Sequence, residues 1–126
     1  MKSYEGGCHC GRVRFRVRTD FPRVVQCNCS ICVRKGALLL RVAPADFEVL
    51  AGADALTLYQ FGTRTAKHYF CSTCGVHPFG HPRTAPELTV VNIRCLDDFA
   101  VLIDGITIMP FDGRNWEQAA QALRNA

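Results

Sequence analysis

Two short stretches, Cys8-His9-Cys10-Gly11 and Cys71-Ser72-Thr73-Cys74-Gly75, decide how this chain folds. Tetrahedral zinc with Zn–S bonds of ~2.3 Å places its sulfur atoms roughly 3.8 Å apart, and both spacings can bring two thiolates that close. Cys8 and Cys10 can approach this closely if they share one face of a strand. Cys71 and Cys74 can do so if they meet in a turn. The glycine after each pair suits a turn with positive φ. The pairs together predict one four-cysteine zinc site that joins the N-terminal strand to the middle of the chain.

A third stretch, Cys27-Asn28-Cys29-Ser30-Ile31-Cys32, supplies three more thiols close together. Three protein ligands leave the fourth position of a zinc ion open to water or substrate, which is typical of catalytic rather than structural sites. The alternative is a second closed site that Cys95 or a histidine completes. Spacing alone leaves both interpretations open.

Length and composition restrict the class of protein. The 126 residues predict a single domain over residues 1–126, with no apolar run long enough to span a membrane. The first residues contain no apolar segment of the kind found in signal peptides, so the closely spaced cysteines indicate metal binding in a reducing compartment, and we expect a cytoplasmic protein. The formal net charge of +4 without a long basic arm does not favour nucleic acid as a partner.

The hydrophobic pattern has a dominant period of two. Val13, Phe15 and Val17 alternate with arginines, which predicts a half-buried strand with an arginine face. Four further strands are predicted over residues 37–42, 56–61, 67–71 and 88–93, and a turn of helix over residues 30–35. A C-terminal helix is predicted from one apolar face made by Trp116, Ala119, Ala120 and Leu123. The pattern therefore predicts a mainly β fold with one closing helix.

The order of the cysteine motifs resembles the glutathione-dependent formaldehyde-activating enzyme family, which also includes centromere protein V. The motifs are Gly6-Gly7-Cys8-His9-Cys10-Gly11, the stretch from Cys27 to Cys32, and Phe70-Cys71-Ser72-Thr73-Cys74-Gly75. The resemblance extends through Tyr59-Gln60-Phe61, Val76-His77-Pro78-Phe79, Asn92-Ile93-Arg94-Cys95-Leu96-Asp97 and Phe111-Asp112-Gly113-Arg114-Asn115-Trp116. The formaldehyde-activating enzyme itself looks like Cys-His-Cys in its middle motif, so the middle motif here is more similar to the centromere protein V side of the family.

This resemblance implies a fold, two metal sites and an activity. The implied fold is all-β and Mss4-like, a mainly antiparallel sandwich or barrel with a short C-terminal helix. A structural zinc is implied at the outer pairs: Cys8, Cys10, Cys71 and Cys74. A second, substrate-facing zinc is implied at the middle group: Cys27, Cys29 and Cys32. The family's named activity joins glutathione and formaldehyde as S-hydroxymethylglutathione, formally a carbon–sulfur lyase reaction, so we expect an enzyme acting on glutathione or a similar small thiol.

Two residues outside the cysteine groups are candidates for catalysis. His77, three residues after Cys74, is the candidate proton carrier, although the adjacent Pro78 favours a structural hydrogen bond in a turn. Arg94 and Arg34 are the arginines adjacent to the motifs that could approach glutathione, which carries a net charge of −1, and Arg94 is the one expected at the site. His68 and His81 are interpreted as packing or surface residues.

Two other classes of function remain open at this point. The chain could be a non-catalytic binding module stabilised by zinc, similar to centromere protein V. It could instead be a sensor whose three-cysteine site loads zinc or thiol reversibly. A second metal site that responds to glutathione favours the enzyme, whereas two zinc ions indifferent to glutathione favour the binding module.

Overall fold

Within residues 1–125, which the computed structural model describes, the chain forms ten strands and three α-helices joined by short 3₁₀ turns. The strands are β1 (Lys2–Gly7), β2 (Arg14–Thr19), β3 (Val24–Cys27), β4 (Leu39–Val42), β5 (Phe47–Ala51), β6 (Leu56–Tyr59), β7 (Lys67–Cys71), β8 (Phe79–His81), β9 (Thr89–Asn92) and β10 (Ile108–Phe111). The helices are α1 (Cys32–Lys35), α2 (Phe99–Leu102) and α3 (Trp116–Asn125).

The strands form two open sheets. The small sheet has the order β1-β2-β5, and the large sheet has the order β10-β3-β4-β9-β8-β7-β6. Every strand pair in the described residues is antiparallel except β10–β3, which is parallel. The expected all-β, mainly antiparallel fold with a short C-terminal helix is confirmed, and neither sheet closes into a barrel.

The predicted alternation in β2 is confirmed. Phe15 and Val17 are fully buried, while Arg16 is exposed and its Nη2 lies 3.4 Å from Glu5 Oε2. An exposed ion pair of this kind typically contributes ~0–1 kcal/mol, so the buried apolar face rather than the arginine face stabilises the strand.

The four further predicted strands are confirmed: β7 has the predicted bounds, and β4, β6 and β9 are shorter than predicted. The alternation does not predict β3, β5, β8 and β10. In β8 and β10 a residue that weakens a strand assignment is present: Gly80 in β8 and Pro110 in β10. Pro110 is tolerated because β10 is an edge strand, where a missing N–H costs no ladder bond.

The main core lies between the two sheets. A row of aromatic rings crosses from one sheet to the other, with centroids 5.5 Å apart for Phe15–Phe47 and 4.7 Å apart for Phe47–Phe79. Buried aliphatic side chains of the large sheet complete this core: Val24, Leu40, Val42 and Val91.

The predicted C-terminal helix is confirmed as α3. Ala120 is fully buried, and the Arg83 guanidinium lies 3.7 Å from the centroid of the Trp116 ring. The side chain of Leu123, the fourth member of the predicted apolar face, lies outside the described residues. No helix in the described part of the chain is both long and apolar enough to cross a membrane.

Candidate metal centres and the adjoining cavity

The outer pairs of cysteines come together as predicted. The Sγ atoms of Cys8, Cys10, Cys71 and Cys74 all lie within 4.8 Å of one another. The Cys8–Cys10 Sγ distance is 3.6 Å and the Cys10–Cys71 distance is 3.7 Å, close to the ~3.8 Å of a tetrahedral zinc site. The four side chains, called the four-cysteine cluster below, could therefore hold a metal ion of zinc size.

The first pair reaches this geometry from a turn, so the expectation that Cys8 and Cys10 share one face of a strand is wrong. Strand β1 ends at Gly7, and the following turn is closed by the Gly11 N–H, which donates to the Cys8 carbonyl over 3.3 Å. The predicted positive φ is confirmed at Gly11 (83°) and at Gly75 (78°). A bulkier residue would be strained in this conformation, which is the physical reason for glycine at both positions.

Backbone N–H groups stabilise negative charge on these sulfur atoms. The Val13 N–H donates to Cys8 Sγ over 3.3 Å, and the Thr73 N–H donates to Cys71 Sγ over 3.4 Å. The pKa of Cys74 is lowered to about 6, first by the backbone N–H of Cys10. The pKa of Cys71 is lowered as well, first by the backbone N–H of Cys74, whereas that of Cys10 is raised to about 11. The donors therefore favour thiolates, the form of cysteine that ligates metals, at Cys71 and Cys74.

The four-cysteine cluster lies at a junction of the two sheets. Cys8 directly follows β1 of the small sheet, and Cys71 ends β7 of the large sheet. Both cysteines pack with buried Val13 and Ala55 in a second apolar core, separate from the main one. A metal ion bound here would link the two sheets.

The middle cysteines form a second group. The Sγ atoms of Cys27, Cys29 and Cys32, called the triad below, lie within 4.8 Å of one another. Among the side chains that the structure describes, no fourth Cys, His, Asp or Glu joins them. A hydrogen bond from the Cys32 thiol lowers the pKa of Cys27 to about 6, so one thiol of the triad is readily ionised. The triad could therefore hold a metal ion with three protein ligands.

Cys95 belongs to neither group. Its thiol donates to the His77 carbonyl over 3.5 Å, and burial raises its pKa to about 12. Cys95 is partly buried and packs against the main core, so the expected burial is met only in part. It is not part of the triad, so the alternative in which it completes that site is not supported.

The loop after β10 holds the triad in place. Asn28, between two triad cysteines, donates from Nδ2 to Asp112 Oδ1 over 3.1 Å and accepts from the Arg114 N–H over 3.1 Å. Gly113 packs directly on the triad, because a Cβ at this position would lie 2.6 Å from Cys27 Sγ and 2.5 Å from Cys29 Cβ. The sequence indicates this loop only as part of the family resemblance, and its local pattern does not predict the contact with the triad.

We expect Gly113→Ala to weaken metal binding at the triad and to leave the four-cysteine cluster intact. The added methyl group displaces two of the three ligands, and overpacking of this kind typically costs ~1–3 kcal/mol, or roughly five- to a hundredfold in affinity. Competition with a chromophoric chelator measures the affinity of each site. Gly105→Ala is the matched control, since a Cβ there meets nothing within 4 Å. Equal metal affinities in the two variants would contradict the contact.

A cavity of about 190 Å³ opens beside the triad, and all three triad cysteines line it. Much of its wall is apolar, including Val25, Leu39, Phe111 and Trp116. Its charged lining is cationic: Lys35, Arg41, Lys67 and Arg83. No Asp or Glu of the described residues lines it. The cavity therefore suits an anionic ligand that also has apolar parts.

Arg41 is a half-buried cation of this lining. Its guanidinium donates to the Thr84 hydroxyl, and it forms no ion pair with the described carboxylates. Burial lowers the pKa of Arg41, the nearby Arg23 lowers it further, and Glu87 opposes the shift only in part. A ligand carboxylate would offset this cost of burial.

Lys35 lies between two histidines at the edge of the cavity. Its Nζ is 3.1 Å from His68 Nδ1 and 3.2 Å from His77 Nε2. Burial lowers the pKa of His68 to about 4 and that of His77 to about 3, so both imidazoles are neutral at pH 7. Sequence reasoning missed Lys35 and gave His68 only a packing or surface role. The available signal was the position of Lys35 three residues after Cys32, on one face of a helix.

Neither of the two candidates for catalysis lines the cavity, although His77 contacts Lys35, which does. His77 is buried, its Nδ1 donates to the Tyr69 carbonyl over 2.6 Å, and it is not among the residues that line the cavity. Arg94 is exposed, with its guanidinium 5.4 Å from the centroid of the Phe99 ring, and it does not line the cavity.

Comparison with known proteins gives three findings. A family model described as "Glutathione-dependent formaldehyde-activating enzyme" matches residues 3–108. A Halomonas elongata protein named "Putative glutathione-dependent formaldehyde-activating enzyme" is 35% identical over 97 residues, which cover 60% of this chain and 62% of that protein. This chain thus spans less than two-thirds of the relative's length. The crystal structure of a Rhodobacter sphaeroides protein matches with a TM-score of 0.70 and 45% identity, over 74% of this chain and 87% of that chain.

Proposed function

The chain belongs to the glutathione-dependent formaldehyde-activating enzyme family, and from this premise we propose that it is a carbon–sulfur lyase that forms or cleaves the adduct of formaldehyde with glutathione or a similar small thiol. One observation carries the proposal: the triad and the cationic residues line the same cavity. This reaction requires a metal-binding group that can face the sulfur of the thiol substrate. It also requires a cationic wall that suits the carboxylates of that substrate.

In this proposal the four-cysteine cluster holds a structural zinc, and the triad holds a second zinc with an open position. The observed sulfur distances and the all-cysteine donor sets fit zinc, which takes thiolate ligands in tetrahedral geometry. Bound at the triad, zinc supplies a site that keeps a substrate thiol ionised at neutral pH. A free thiol with a pKa of ~8.5 is only about 3% ionised at pH 7, so full ionisation raises the thiolate fraction about thirtyfold. Any larger rate enhancement must come from positioning of the substrate by the cavity.

The cavity wall supplies that positioning. Glutathione has two carboxylates and one ammonium group, and the half-buried Arg41 can take a carboxylate in a bidentate hydrogen bond. The volume of about 190 Å³ is below the ~300–1,000 Å³ of sites that enclose a drug-sized ligand. The cavity therefore encloses the reacting end of the thiol substrate, and the remainder extends toward solvent.

Exchange spectroscopy tests this proposal, because glutathione and formaldehyde also combine without an enzyme. Proton NMR at equilibrium measures how fast the hydroxymethyl group exchanges between adduct and free formaldehyde. We expect micromolar protein to accelerate this exchange. Arg41→Gln should raise the glutathione concentration for half-maximal acceleration roughly ten- to a hundredfold, since a hydrogen bond to a charged group contributes ~1.5–3 kcal/mol.

Arg18→Gln is the matched control, because it removes the same charge from the exposed face of β2 and is not part of the cavity lining. Its half-maximal concentration should equal that of the unmodified protein. Absence of acceleration by protein with both metal sites loaded would contradict the enzyme and would favour the binding module or the sensor.

A further inference from the structure

The hydrogen bonds around Lys35 fix which atoms donate. A backbone carbonyl only accepts, so the Tyr69 carbonyl 2.6 Å away requires the proton of His77 to be on Nδ1. His77 Nε2 is then the acceptor for Lys35 Nζ at 3.2 Å. An ammonium only donates, so His68 Nδ1 likewise accepts at 3.1 Å. The two neutral imidazoles thus accept hydrogen bonds from two of the three N–H groups of Lys35.

The third N–H of Lys35 is the one that a ligand can use. Lys35 lines the cavity together with the triad cysteines, from one helical turn beyond Cys32. None of the described carboxylates forms an ion pair with Lys35. The ammonium is therefore held by two neutral groups. Burial lowers the pKa of Lys35, and the nearby sulfur atoms of the triad oppose this shift.

We propose that Lys35 is a catalytic residue that donates a hydrogen bond to the aldehyde oxygen while the thiol sulfur adds to the carbonyl carbon, with His68 and His77 as its positioning residues. The inference rests on the proposed function. In the step, the carbon–sulfur bond forms from the sulfur electron pair, and the π pair of the C=O bond moves onto oxygen. The thiol proton leaves to water, and the oxygen takes a proton from water to give the hydroxymethyl adduct.

Negative charge develops on the oxygen in this transition state, and a fixed donor stabilises it more than it stabilises the neutral aldehyde. Loss of one donor of this kind typically costs ~10²–10³ in rate. The reverse reaction passes through the same transition state, so cleavage of the adduct should lose the same factor.

The test compares Lys35→Met with Arg34→Met in the exchange assay. Arg34 is adjacent on the same helix, is exposed and does not line the cavity, so its variant removes the same charge without touching the histidines. We expect Lys35→Met to lower the maximal exchange rate ~10²–10³-fold, with an unchanged half-maximal glutathione concentration and an unchanged metal content. Arg34→Met should match the unmodified protein in all three quantities.

Each outcome of this comparison has a distinct consequence. An unmodified protein without exchange activity overturns both the proposed function and this inference. An active protein whose Lys35→Met variant keeps its maximal rate overturns the inference alone. Loss of metal from Lys35→Met overturns it too, because Lys35 then only balances the charge of the triad. If Lys35→Met fails to fold, Lys35→Gln replaces it, and an unchanged maximal rate in that variant overturns the inference.

Discussion

Removal of metal from the four-cysteine cluster is expected to unfold the protein. Apparent binding free energies of structural zinc are ~10–16 kcal/mol, as large as the ~5–15 kcal/mol stability of a typical domain. The cluster lies where β1 of the small sheet and β7 of the large sheet meet, so its loss removes a link between the sheets. Without metal, four thiolates or thiols remain within 4.8 Å of one another, two of them, Cys8 and Cys71, buried in a small apolar core.

Circular dichroism after chelation, with metal content measured on the same sample, checks this expectation. The β-sheet signal should be lost when the last equivalent of metal leaves and should return when zinc is restored. Cys71→Ser should reproduce the loss with metal present, because Cys71 is fully buried within the cluster. Cys95→Ala is the matched cysteine control, since Cys95 belongs to neither cluster. An unchanged spectrum of fully metal-free protein would refute the structural role.

Cys29→Ser should have the opposite outcome, with the fold retained and the activity lost. Cys29 is half-exposed and lies in the loop between β3 and α1. All three triad ligands come from one short segment, from the end of β3 to the start of α1. Two remaining thiolates hold a metal ion poorly, so we expect one tightly bound metal per chain instead of two. The exchange activity should fall at least ~10²-fold, because ionisation and positioning of the substrate thiol are lost together.

Metal analysis, circular dichroism and the exchange assay on one preparation separate the two clusters. Cys29→Ser with two tightly held metal ions and full activity would contradict the assignment of the open site to the triad. Unfolding of this variant would contradict it in a different way, since it would make the triad structural.

Local spacing explains which features the sequence predicts correctly. It predicts the four-cysteine cluster and the triad because ligand pairs within four residues of each other can share a metal in almost any fold. It predicts the buried face of β2 because alternation has a period of two wherever one face is buried. The apolar face of the C-terminal helix likewise predicts that helix. The strand geometry expected around Cys8 is wrong, since a turn brings the same two sulfur atoms together.

The sequence by itself therefore determined the fold class, the family and the grouping of seven of the cysteines. Only the tertiary structure decided which other side chains meet the triad. Lys35 of α1, His68 of β7 and the loop around Gly113 are distant in sequence. Their contacts with each other or with the triad form only when the chain folds. The same packing leaves Arg94 outside the cavity and brings Arg41 into it. Side-chain chemistry depends on contacts between strands, and a local pattern records which face of a strand is buried but not which strand lies beside it.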